Sequence, residues 1–125
     1  MAVEKTNECA GGPKLIFACS GAADVGGLSD RAARKLTKDE AGRMFCLAGI
    51  GGRVQGIIDK THAASRILAI DGCELDCTKK CLQGAGFDTF EHFRVTDVGF
   101  EKGKTQITEQ SISVVAETGL ALLGQ

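Results

Sequence analysis

Apolar residues along this chain fall into two alternating kinds of run. Lys14 to Cys19 (with Leu15, Ile16, Phe17 and Ala18), Met44 to Leu47, and Ile67 to Ile70 are short and continuous, as expected of strands buried on both faces of a parallel sheet. Between them the apolar positions recur three and four residues apart. Leu28, Ala32, Ala33 and Leu36 predict a first helix with Ser29 or Asp30 near its start, and Val54, Ile57, Ile58 and Thr61 a second. Cys73, Cys77 and Cys81 mark one stripe of a third helix that opens at Cys73 and closes at Gly84 or Gly86. A less continuous run within Thr89 to Val98 predicts an edge strand, and Glu101 to Lys104 a solvated turn. Thr108 then caps a last helix with Ile112, Val115, Ala116, Gly119, Leu120 and Leu123 inward and Gln110, Ser111 and Glu117 towards solvent.

Strand and helix in alternation predict a parallel sheet covered on both faces. The fold class is therefore α/β: a three-layer, Rossmann-like or flavodoxin-like domain of four mainly parallel strands, in the order 2-1-3-4. Residues 14–125 form this one domain, and residues 1–13 a flexible N-terminal arm that carries Cys9. In such sheets ligands bind outside the carboxyl ends of the strands. Cys19 and Cys73 end the first and third strands and Cys46 lies near the end of the second, so three distant segments each deliver a thiol to one edge. Cys77, one turn along from Cys73, adds a fourth. Cys81 lies roughly 12 Å of helix rise from Cys73, too far to share a tetrahedral centre, and is expected to fill the core.

Composition narrows the chemistry. The 125 residues carry 15 basic and 16 acidic side chains spread along the chain, which gives no basic footprint for nucleic acid or an anionic membrane. The N-terminal stretch lacks an apolar core, which speaks for the cytoplasm. Six cysteines with no Trp or Tyr, in a reducing compartment, point to metal or thiol chemistry sooner than to a disulfide framework. The loop glycines Gly21, Gly49, Gly51 and Gly52 are read as opening helices and supporting thiolates with their amides. Neither loop completes a phosphate-binding signature. Asp71 is read either as a turn former or as an acceptor for helix-opening amides beside a metal. His62 and His92 are read as surface or core histidines.

Cys19-Ser20-Gly21, Phe45 to Gly52 and Asp71-Gly72-Cys73 with Cys77 together resemble the DGC-domain family of small bacterial and archaeal proteins, named for Asp-Gly-Cys and described as zinc-binding. The resemblance spans roughly Lys14 to Leu123. It implies zinc as the cofactor, held by Cys19, Cys46, Cys73 and Cys77, with Asp71 and the loop glycines behind them. Apart from the metal ion, the sequence names no partner. The alternative reading is a redox or sulfur-transfer protein using the same cysteines, with Cys73 attacking. It is weakened by the Cys73-x-x-x-Cys77 spacing and by Pro13 being the only proline, which leaves no candidate for a cis-proline loop.

Overall fold

The computed structural model describes residues 11–124 and contains a four-stranded, all-parallel sheet in the order β2-β1-β3-β4. The strands are β1 (Lys14–Ala18), β2 (Arg43–Met44), β3 (Arg66–Asp71) and β4 (Glu91–Arg94), and the helices are α1 (Asp24–Lys38), α2 (Leu47–Gly51), α3 (Gln55–His62), α4 (Cys77–Gly84) and α5 (Glu109–Leu123). Alternation along the two central strands divides the core. Ile16, Ala18, Leu68 and Ile70 pack with α1 and α5 on one face. Leu15, Phe17, Ile67 and Ala69 pack against the side of α2, α3 and α4 on the other. A strand buried on both faces must be apolar at every position, which is why these runs read continuously. The three layers and the strand order follow the sequence reading. Among the described residues no helix is long and apolar enough to cross a membrane.

Several boundaries differ from the expectation. α1 begins at Asp24, five residues before Ser29, because Val25 and Leu28 continue its buried stripe; Ser29 is itself buried, its hydroxyl facing the carbonyls of Cys19 and Gly26. β2 ends at Met44, and Cys46 is the cap residue of the short helix α2. Gly49 and Gly51 accordingly lie within α2 and do not open it. A Cβ at Gly49 would lie 2.7 Å from the Ile57 side chain, so this glycine lets α3 pack close. α4 starts at Cys77, with Cys73 in the turn before it, so the three cysteines do not form one helical stripe. β4 gives way to a 3₁₀ turn, Val95–Val98. Thr108 caps α5 as expected, accepting from the Ser111 amide. Ser111, expected in solvent, is buried, its hydroxyl satisfied by the Gln106 and Thr108 carbonyls.

Of the N-terminal arm, residues 1–10 with Cys9 lie outside the described residues. The described end of it is fastened to the start of β3, since the Ser65 amide donates to the Pro13 carbonyl at 2.9 Å.

Candidate functional site

At the carboxyl end of β3, three consecutive residues do three different jobs. The buried carboxylate of Asp71 accepts from the Thr78 amide at 2.7 Å and the Lys79 amide at 3.1 Å, and so caps α4 from the sheet. The cap residue proper, Asp76, makes no such bond and sits in the left-handed region at φ 55°. Gly72 has no room for a side chain: a Cβ there would lie 2.8 Å from the Gly26 nitrogen and 2.9 Å from the Val25 carbonyl carbon, both backbone atoms of α1. Cys73 follows, 8% exposed, its carbonyl accepting from the Asp76 amide at 3.2 Å. Asp71 thus brings α4 and Gly72 brings α1 to the end of one strand. The amide acceptance expected of Asp71 is present.

The other thiols are arranged around this point. Cys19 extends the β1–β3 ladder by one bond, its amide donating to the Ile70 carbonyl at 2.9 Å, and a Cβ on Gly21 would lie 3.3 Å from its sulfur. Cys77 opens α4. Its thiol is pushed above the usual range, first by desolvation of the sulfur, although the residue as a whole is exposed, and then by the fields of Cys19, Asp71, Cys73 and Cys81. Cys73 packs into the core on the α1 side of the sheet, whereas Cys81 packs against the core on the α4 side. The thiols therefore straddle the sheet edge. Among the described residues no three cysteine sulfurs lie within 4.8 Å of one another.

Cys46 is exposed and shares a crevice of about 740 Å³ with Cys81, Ser20, Arg34 and Gly51. Cys81 is half-buried, so the core role expected of it is only partly filled. A Cβ on Gly51 would lie 3.8 Å from its sulfur. On the opposite side Lys102 approaches Cys73, Nζ to Sγ 3.7 Å. Its loop is pinned by Asp24, whose carboxylate accepts from the amides of Gly103 and Thr105 at 2.9 Å each. Those two bonds, Gly103 first, hold the Asp24 carboxyl below the usual carboxylate range.

Sequence reasoning missed a second polar group here. His92 Nε2 lies 2.9 Å from Asp71 and 3.6 Å from Asp76, and the three residues are the one set of three metal-ligating side chains that converge among the described residues. Their oxygens are largely committed already. Asp71 caps α4, and Asp76 takes a two-pronged ion pair from Arg94 at 2.8 and 2.7 Å, the first cause of its lowered pKa. This group is better described as a brace between β4 and the Cys73–Cys77 turn than as a metal site. The partial signal in the sequence was His92 and Arg94 two apart in a strand, hence on one face.

The family model described as the DGC domain matches residues 15–118. Over 88 residues, 70% of this chain and 67% of the relative, the sequence is 34% identical to a Pseudomonas aeruginosa protein named "Anaerobic and virulence modulator AnvM". No solved structure matches it.

Proposed function

The chain belongs to the DGC-domain family, and on that premise we propose that it is a metal-binding protein that takes one zinc ion on Cys19, Cys46, Cys73 and Cys77. The observation that carries this reading is the position of Cys77, which opens α4 four residues after Cys73, its thiol within the fields of Cys73, Cys81 and, from a separate segment, Cys19. The donors suit the ion, since zinc takes four thiolates tetrahedrally at about 2.3 Å. The cysteine sulfurs as placed do not close on a common centre, so binding would have to draw them together. Bound there, zinc would supply a redox-inert cross-link between the segments near residues 19, 46 and 73. Lys102 beside Cys73 offsets part of the negative charge of such a centre. Asp71 stands behind Cys77, holding the first turn of α4 that carries it.

All five described cysteines are free thiols, which suits the reducing cytoplasm. Balanced charge leaves nucleic acid and membrane out of this reading.

Metal content of the protein purified under reducing conditions, with X-ray absorption at the zinc edge, tests the proposal. One zinc per chain with only sulfur neighbours near ~2.3 Å is expected. Cys19→Ser and Cys73→Ser should each lose the metal, and retention by both would refute it. A second reading, thiol exchange led by Cys73, draws on the ammonium of Lys102 beside that sulfur. A metal-free protein that forms a Cys73 disulfide with a low-molecular-weight disulfide would favour it.

A further inference from the structure

At the amino end of the sheet, roughly 17 Å along β3 from the edge that carries the cysteines, the first residues of β3 and β4 open onto a cavity of about 710 Å³. Small-molecule sites have this size. Its apolar lining belongs to the core on the α4 side of the sheet: Ile67 and Phe87 are buried and Phe90 is half-buried. The exposed ring of His62, at the end of α3, lies on Phe87 with centroids 4.5 Å apart and planes at 38°. No cysteine lines this cavity.

The charged side chains of the wall are unequally engaged. Arg66 donates to the Leu122 carbonyl at 3.1 Å and reaches Glu91 only at 3.7 Å, a looser pair than the 2.7 Å between Arg94 and Asp76 at the other end of β4. Glu91 keeps 43% of its side chain exposed. The Asp88 carboxylate accepts, among the described residues, only from the Thr89 hydroxyl at 3.5 Å. Two loosely held carboxylates therefore face the cavity, whereas its one guanidinium is turned to a backbone carbonyl. Both α3 and α4 end beside it, and the negative ends of their dipoles add to the same sign. We propose that this cavity binds a small organic cation, its ammonium group held by Asp88 and Glu91 and its apolar body against Phe87 and Phe90. A cation gains from the carboxylates and from the ring faces together. A neutral molecule of the same shape gains neither and leaves the carboxylates partly desolvated.

Three probes with one body and different heads test this: phenethylamine, 2-phenylethanol and 3-phenylpropanoate, titrated into the isotope-labelled full chain and followed by amide chemical shifts. The amine should bind at roughly 0.1–1 mM and move the amides of Arg66, Gly86, Thr89 and Glu91 while leaving those of Cys73 and Cys77 in place. The alcohol should bind about tenfold more weakly, and the carboxylate more weakly still. Asp88→Asn and Glu91→Gln should each weaken the amine about three- to tenfold and leave the alcohol unchanged. Thermal denaturation of both variants, expected to match wild type, shows that a weaker affinity is not misfolding. Equal affinity for amine and alcohol would overturn the proposal. So would tightest binding of the carboxylate, which would make Arg66 the receiving group, or amine binding undiminished in both variants. An absence of shifts at these residues with all three probes would overturn it as well.

Discussion

Gly72→Ala is the sharpest perturbation of this architecture, because it adds one methyl group where three backbone atoms already stand. The new Cβ would lie 2.8 Å from the Gly26 nitrogen, 2.9 Å from the Val25 carbonyl carbon and 3.1 Å from the Gly26 Cα. Favourable non-bonded separations are about 3.5–4.0 Å, so the first turn of α1 would have to move by roughly half an ångström or more. It has little space to do so. A Cβ at Gly26 would itself meet the nitrogen and oxygen of Gly21 at 3.0 Å, so the Cys19 loop is packed tightly against the same turn. Overpacking of this kind costs about 1–3 kcal/mol, and the lower entropy of an unfolded chain with Ala offsets about 0.4–1 kcal/mol of it. A net loss of about 1–2 kcal/mol lowers Tm by roughly 3–10 °C. Thermal and urea denaturation read the effect directly. Gly56→Ala in the first turn of α3 is the control: nothing lies within 4 Å of its Cβ position, and the exchange should gain up to about 0.5 kcal/mol, less than in a helix interior. A Gly72→Ala protein as stable as wild type, or stabilised like Gly56→Ala, would refute the claim that backbone contact dictates this glycine.

Three further outcomes follow from the same edge. Asp71→Ala leaves the Thr78 and Lys79 amides without their acceptor and should cost about 1–3 kcal/mol in urea denaturation; an effect near zero would show that water caps α4 equally well. Because the Asp24 carboxyl is lowered from 3.8 in the folded protein, its clamp contributes fully above that value and is lost only as pH falls through the lower folded value. The Gly103 and Thr105 amide resonances should therefore titrate with a midpoint below 3.8, and a midpoint at or above it would contradict the clamp. If zinc cross-links the edge, a chelator should lower the Tm of wild type and leave that of Cys73→Ser unchanged.

The layers and the mainly parallel sheet were legible because they rest on local pattern, and the strand order 2-1-3-4 because it makes the three cysteine-bearing strands neighbours. Leu15 to Ala18 and Ile67 to Ile70 are apolar at every position, which only a doubly covered strand tolerates, and the spacing of Leu28, Ala32, Ala33 and Leu36 admits only a helix. The position of Cys19 and Cys73 at strand ends followed from the same pattern. The boundary of α4 did not. The spacing of four from Cys73 to Cys77 is equally compatible with a helix and with the turn that Asp76 makes at φ 55° under the grip of Arg94, a residue from another strand.

Taken alone, the sequence determined which segments bury which faces, because burial depends on the polarity of each residue and its nearest neighbours along the chain. It also determined that Cys19 and Cys73 follow directly on the ends of the two central strands. Tertiary structure decided everything that depends on side chains from different segments meeting. Among these are Asp71 facing His92 across the β3–β4 register, Lys102 reaching Cys73 once Asp24 pins its loop, and Cys81 lining one crevice with Cys46. Register, helix start and loop path set those meetings, and each is fixed by close packing between elements distant in sequence, as at Gly72 against α1.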